Sequence, residues 1–328
     1  MNKETLAAYV DKFSQFNVLV VGDVMLDHYV FGKVERLNPE APVPVLHAQK
    51  ERDATGGAGN VAKNAAALGG EATLLSVVGQ DPAAVLLSVA AKREIYDLQA
   101  VSDAERPTVK KSRFLVNGQQ LLRVDFEDTA DISGGLESEI TARISSLAQE
   151  ADAILISDYA KGVVTKAVVD AAMAVAREKN IPIAADIKPS RAKLVVGVAF
   201  ISPNLKEGYE FLGVNPLEHG QLEPSEVAAK LHDKMKTDVY LTLGAGGVYV
   251  KTDTVDEHVP QEHVAQVFDV SGAGDTFMVA LLLATLAGAS PVEAAEIGNA
   301  AGAVVVGKVG SAALTPAELK GMLSHRHE

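Results

Sequence analysis

Asp275 is the side chain whose surroundings most invite a chemical role. It follows three small residues, Gly272, Ala273 and Gly274, and precedes Thr276 and an apolar run through Phe277, Met278, Val279 and Leu281 to Leu283. The whole stretch, Asp269 to Leu283, reads DVSGAGDTFMVALLL and predicts a tight glycine turn feeding a buried helix. The first N–H groups of a helix have no intrahelical acceptor and lie at the positive end of its aligned peptide dipoles. A phosphate is their natural guest, and glycines let the backbone approach it closely. A carboxylate there repels the bound anion, yet it is well placed to take a proton from a hydroxyl about to attack that phosphate. Aspartate also caps helices often, and the segment alone leaves both readings open.

Other candidates sit where short apolar runs end. Val18 to Val21 reads as a buried strand ending in Gly22 and Asp23. Further along, strands are expected at Ala153–Ser157, Ile181–Ala185, Ala199–Ser202, Val239–Leu243 and Gly247–Lys251, alternating with helices at Lys166–Glu178, Lys206–Leu212 and Glu223–Met235. Such alternation implies parallel βαβ units, whose ligands bind at the carboxyl edge of the sheet. Polar residues recur at that edge: Asp158 and Lys161, Asp186 and Lys188, Asn204 and Glu207, Thr242 and Gly244. Their repetition at successive strand ends is hard to ascribe to solvation alone.

Two more stretches frame the edge. TGGAGNVAKNAAALGG, residues 55–70, joins a glycine cluster to an alanine-rich helix, which suits either a ligand or close helix packing. Residues 107–126 predict a hairpin turning at Asn117-Gly118, with Lys110, Lys111, Arg113 and Arg123 making it the most basic local patch. This patch reads as a solvated strand face or as an anion-holding lid. Between Asp27 and His47 the chain breaks into short extended pieces around Pro39, Pro42 and Pro44, as expected for a small flap.

Composition narrows the classes. The chain has 328 residues, 48% hydrophobic and 22% charged, ordinary for a globular protein with a sizeable core. It contains no cysteine, which removes disulfides, thiolate catalysis and cysteine-based metal sites. A net charge of −13 argues against a nonspecific nucleic-acid or anionic-membrane binder. No secretory signal and no spanning run of ~18–20 apolar residues is seen, so a cytoplasmic protein is expected. Gly302-x4-Gly307-Lys308 resembles a Walker loop, but Val309 stands where the metal-binding hydroxyl belongs. Gly57-x-Gly59-x-x-Ala62 resembles a dinucleotide fingerprint, but the preceding HAQKERDAT is too polar for the strand that motif needs. The eight histidines, including His325 and His327, lack ligand spacing for zinc.

Taken together, DVSGAGDTFMVA and TGGAGNVAKNAAALGG make the chain resemble the ribokinase-like (PfkB) carbohydrate kinases over essentially its full length. The resemblance implies one kinase domain over 1–328, a three-layer α/β/α sandwich with a mostly parallel sheet and a small β-sheet lid from about 27–48 and 106–127. It implies ATP, Mg²⁺ and phosphoryl transfer to a sugar hydroxyl, and admits a monovalent cation. On this basis Asp275 is the base, Gly272, Ala273 and Gly274 form the anion hole, and Asp23, Asp27, Gly56, Gly57, Asn60 and Asp186 meet the sugar. Asn204-Leu205-Lys206-Glu207 matches the family's N-x-x-E element, with Glu207 holding Mg²⁺ through water. Thr242, Gly244, Gly247 and Asn299 fall where the nucleotide is expected.

VGDVMLDHYVFG, NPEAPVPVL, NGQQLLRVDFE, SDYAKGV and GKVGSAALTPAEL are similar to the heptose 7-phosphate kinases within that family. That implies transfer to the 1-hydroxyl of D-glycero-β-D-manno-heptose 7-phosphate in ADP-heptose synthesis for lipopolysaccharide. A stand-alone kinase is expected, since no cytidylyltransferase-type motif follows before Glu328. Lys161, Lys188, Arg113 or Arg123 is expected to receive the distal phosphate. A homodimer through the lid is also expected, because open sheet edges invite pairing. Another sugar or nucleoside kinase, or a non-catalytic sugar-phosphate sensor, remains the alternative.

Overall fold

The computed structural model describes residues 3–219, 222–262, 267, 270–308 and 313–324. Asp269, Val309, His325 and His327 lie outside them. Strands run in chain order as β1 (Asn17–Gly22), β2 (Val24–Leu37), β3 (Pro44–Gly57), β4 (Glu71–Gly79), β5 (Asp97–Asp103), β6 (Lys110–Val116), β7 (Gln119–Phe126), β8 (Ala153–Ser157), β9 (Ile183–Asp186), β10 (Phe200–Ile201), β11 (Asp238–Thr242), β12 (Val248–Lys251) and β13 (Asp256–Val259). The helices are α1 (Lys3–Val10), α2 (Ala58–Ala67), α3 (Pro82–Arg93), α4 (Gly134–Leu147), α5 (Lys166–Lys179), α6 (Leu205–Leu212), α7 (Pro216–His219), α8 (Pro224–Met235), α9 (Ala273–Leu286), α10 (Pro291–Val306) and α11 (Pro316–Ser324).

Nine strands form the main sheet in the order β13-β12-β11-β10-β9-β8-β1-β4-β5. From β5 across to β11 every pairing is parallel. Only the β11–β12 and β12–β13 pairings are antiparallel, with β12 the one strand running against the rest, so the expectation of parallel units holds up to β11 and fails beyond it. There Gly247, with φ of 92°, turns the chain straight back instead of crossing over through a helix. The central strands β1 (NVLVVG) and β8 (AILIS) are apolar on both faces and buried, because helices cover both sides. One core layer packs α1, α2, α9, α10 and α11 on one face, and a second packs α4, α5, α6 and α8 on the other. This is the three-layer sandwich.

β2, β3, β6 and β7 leave that body as a separate sheet ordered β3-β2-β6-β7. The polar run HAQKERDAT, which argued against a strand, is part of β3. It is polar because both faces of the lid are largely wet, and it pairs antiparallel with β2 rather than entering a parallel unit. Asn117 and Gly118 take positive φ of 50° and 82° at the tip of the β6–β7 hairpin, as that dipeptide predicts.

Candidate active site

α9 begins at the carboxyl edge of the main sheet. Its N-cap, Gly272, has φ of 77°, and a Cβ there would lie 2.7 Å from Nδ2 of Asn60. Glycine thus serves both the left-handed turn and the close approach of α2. From Asp275 to Ala284 every residue of α9 is buried, so the helix is apolar all round and held rigidly between neighbours. Ala273 donates its N–H to Val270 O at 3.3 Å. Of the expected anion hole, the N–H groups of Gly272 and Gly274 are therefore the ones left without an acceptor among the described residues.

Asp275, only 7% exposed, has both oxygens engaged. Tyr159 donates its hydroxyl to Oδ1 at 2.8 Å, and Asn60 donates Nδ2 to Oδ2 at 2.5 Å. Burial raises the carboxyl's pKa, opposed by these two hydrogen bonds and by the charges of Lys63 and Lys188. The same carboxylate raises the pKa of the Tyr159 hydroxyl, after burial as the main cause. Asp275 is thus no helix cap: its side chain bonds away from its own helix, to α2 and to the loop after β8. Sequence reasoning missed Tyr159, whose only signal was its place two residues beyond the end of a buried strand.

Asp23 explains how that loop is held. Its Oδ2 accepts N–H bonds from Tyr159 and Lys161 at 2.8 and 3.0 Å, and its Oδ1 accepts from Val163 at 3.0 Å. At 1% exposure, with both oxygens taken up by the protein, Asp23 clamps the loop, whereas the sequence reading gave it to a sugar hydroxyl. Ala160, with φ of 54°, is part of the bend so formed. Asp27, on β2, is paired with Arg113 of β6 at 2.5 Å. A Cβ on Gly56 would come within 2.5 Å of Asp27 Oδ2, so this glycine makes room for the carboxylate. Gly57, with φ of 59°, starts α2.

Asn204 and Glu207 form a reciprocal cap on α6: Glu207 N–H donates to Asn204 Oδ1 at 2.9 Å and Asn204 N–H to Glu207 Oε2 at 3.2 Å. Glu207 Oε1 pairs with Lys188 at 3.2 Å. Lys206 departs from expectation. Its side chain is 86% exposed and pairs along the helix with Glu210, because one residue's turn from Glu207 points it to solvent. Asp186, at the end of β9, has its pKa raised to about 7 by burial and then by the charges of Asp275, Glu207 and Asp158, with Lys188 opposing. The residue is not fully buried. No cluster of three metal-ligating side chains occurs among the described residues. Mg²⁺ beside a nucleotide needs only one or two carboxylates, with phosphates and water completing its shell. A carboxyl whose pKa is raised by burial and then by neighbouring carboxyls fits such a cation.

A cavity of about 360 Å³ adjoins the start of α9. Thr242, Gly244, Gly247 and Asn299 line it with Ala273 and Gly274, so the structure brings the expected nucleotide residues together beside the helix start. Asn299 is turned partly to structural use, donating Nδ2 to Val259 O at 3.3 Å. Phe277, Val267 and Gln261 also line the cavity and were not anticipated.

A parallel sandwich, a four-stranded lid and a glycine-capped helix start beside a cavity define the ribokinase-like fold class. The chain belongs to the pfkB family of carbohydrate kinases, whose family model matches residues 15–318. It is 39% identical to the bifunctional protein HldE of Caulobacter sp. (strain K31) across 99% of its own length and 66% of that protein's. It is also 39% identical to the D-beta-D-heptose 7-phosphate kinase of Bordetella bronchiseptica, across 95% of this chain and 97% of that one. The chain therefore spans about two thirds of the bifunctional relatives and nearly all of the single-activity one. In fold it is similar to phosphofructokinase-2 from Escherichia coli in complex with potassium, with a TM-score of 0.77, 18% identity and coverage of 94% and 98%.

Proposed function

We propose that the protein phosphorylates the 1-hydroxyl of D-glycero-β-D-manno-heptose 7-phosphate from ATP, giving the 1,7-bisphosphate, in ADP-heptose synthesis for the lipopolysaccharide inner core. The observation that carries the transfer is Asp275, buried in the first turn of α9, beside the unbonded N–H groups of Gly272 and Gly274 and next to the nucleotide-sized cavity. The choice of sugar is supported by the names and coverage of the relatives.

In this mechanism the adenosine part of ATP fills the cavity by Thr242, Gly244, Gly247 and Asn299, and the γ-phosphate lies at the start of α9. Asp27, Asn60 and the turn at Gly56 and Gly57 hold the sugar with its hydroxyl at Asp275. Asp275 takes the proton as the hydroxyl attacks, and the Gly272 and Gly274 amides stabilise charge on the transferring group. Asp186 and Glu207, the latter through water, would hold Mg²⁺, which neutralises phosphate charge. Closure of the lid excludes water. A cytoplasmic location and a homodimer through the lid belong to the same reading, which also admits a monovalent cation. No helix among the described residues is long and apolar enough to cross a membrane.

The test is ADP release with ATP and Mg²⁺ on the heptose 7-phosphate, beside ribose, fructose 6-phosphate and no sugar. Selective turnover of the heptose phosphate is expected. Faster turnover of a neutral sugar would discard the substrate and keep the transfer chemistry.

A further inference from the structure

The four cations expected at the sugar's distal phosphate all have carboxylate partners. Arg113 pairs with Asp27, Lys161 with Glu127, Lys188 with Glu207 and Arg123 with Asp125, at 2.5, 2.8, 3.2 and 2.9 Å. Lys111 is different. On β6 it lies in one cross-strand row with Asp27 of β2 and Asp125 of β7. Cross-strand partners share a face, so Lys111 is on the same face of the lid as the sugar-facing Asp27. Its ammonium makes no side-chain hydrogen bond or ion pair among the described residues. It is half-buried, and that burial followed by the nearby charge of Lys161 lowers its pKa, with the charges of Asp27 and Asp125 opposing. Two ammonium groups held near one another favour an anion between them.

A second orphan lies at the same place. Glu127 gives one oxygen to Lys161, while its other, Oε2, is buried and has no hydrogen-bond partner. Lys161 itself is fixed by its backbone, whose N–H donates to Asp23 at 3.0 Å. An unpaired ammonium, a second ammonium and an unpaired carboxylate oxygen together match a tail that carries both a phosphate and a hydroxyl. They would waste a neutral sugar.

We propose that Lys111, with Lys161 beside it, is the phosphate subsite that selects a sugar phosphate, and that Glu127 Oε2 accepts a hydroxyl of the same tail. The assignment rests on the proposed sugar-phosphate kinase reading and adds the residue that sets its specificity. Losing one charge-assisted contact costs roughly 10- to 100-fold in binding.

The test compares Lys111→Met with wild type on heptose 7-phosphate and on the same heptose without its phosphate. Expected is a KM for the phosphorylated sugar raised roughly 10- to 100-fold, with kcat, the ATP KM and the KM for the unphosphorylated sugar unchanged. An unchanged KM for the phosphorylated sugar, or an equal rise for both sugars, would overturn the assignment. If wild type turns over no sugar phosphate, the kinase reading fails separately, and the subsite is judged by thermal unfolding in inorganic phosphate against chloride at equal ionic strength. Stabilisation by phosphate in wild type that is lost in Lys111→Met upholds the subsite; identical curves overturn it.

Discussion

Replacing Asp186 by Asn should make the protein more stable at neutral and alkaline pH. The carboxyl has a pKa of about 7 in the folded chain, against an ordinary value of 3.8. A group that binds its proton more tightly when folded stabilises the fold at low pH. As pH rises from about 4 to about 7, the unfolded chain gives up that proton and the folded chain keeps it, so stability falls across this window. A shift of this size converts to about 4 kcal/mol. Because the residue is not fully buried, solvent screens part of this, and about 2–4 kcal/mol is the expected penalty above pH 7. Asparagine keeps the shape and removes the ionisation. Urea unfolding followed by circular dichroism at pH 4, 6 and 8 should show Asp186→Asn gaining about 2–4 kcal/mol over wild type at pH 8 and nothing at pH 4. Wild type should keep a steeper slope than the variant, while Asp158, with a pKa raised to about 6 mainly by burial, gives both a shared slope. A gain independent of pH, or none at pH 8, would refute the reasoning.

Further outcomes follow from the same network. Tyr159→Phe removes a hydrogen bond that lowers the Asp275 pKa; a pH profile of kcat should show its acid limb moved to higher pH, and an unmoved limb would deny Tyr159 a role in positioning the base. Asp23→Ala leaves three loop N–H groups without their acceptor, for an expected loss of about 3–5 kcal/mol. A melting temperature within a degree of wild type would show that the loop holds without that clamp.

Much of the fold was legible because burial on two faces leaves a plain trace. Ala153–Ser157 occurs with the bounds the sequence suggests and Lys166–Lys179 ends one residue beyond them, since a run of apolar residues ending at a polar strand end, or a helix opened by a capping threonine, each has one local cause. β3 was hidden because a wet lid strand has neither apolar alternation nor a core to face. α4 was hidden too; of its residues only Ile140 and Ile144 are buried, too thin a stripe to stand out. In the site, the glycine turn before Asp275 drew notice from the sequence alone, whereas Thr242, Gly244, Gly247 and Asn299, which line the cavity, were pointed to by the resemblance to the carbohydrate kinases. The roles of Asp23 and Tyr159 were not readable, because they depend on which loop folds back over which strand. That Arg113, Lys161, Lys188 and Arg123 each sit beside a carboxylate was not legible for a similar reason: charge is visible in sequence, but whether an opposite charge lies next to it is decided by the fold.

The central claim is that Asp275 is the base for phosphoryl transfer at the start of α9. The direct measurement is single-turnover transfer from ATP to heptose 7-phosphate by Asp275→Asn, with nucleotide binding measured on the same protein. A fall of about 10²–10⁴ in rate with nucleotide affinity nearly unchanged is the predicted result. Turnover equal to wild type would contradict the account.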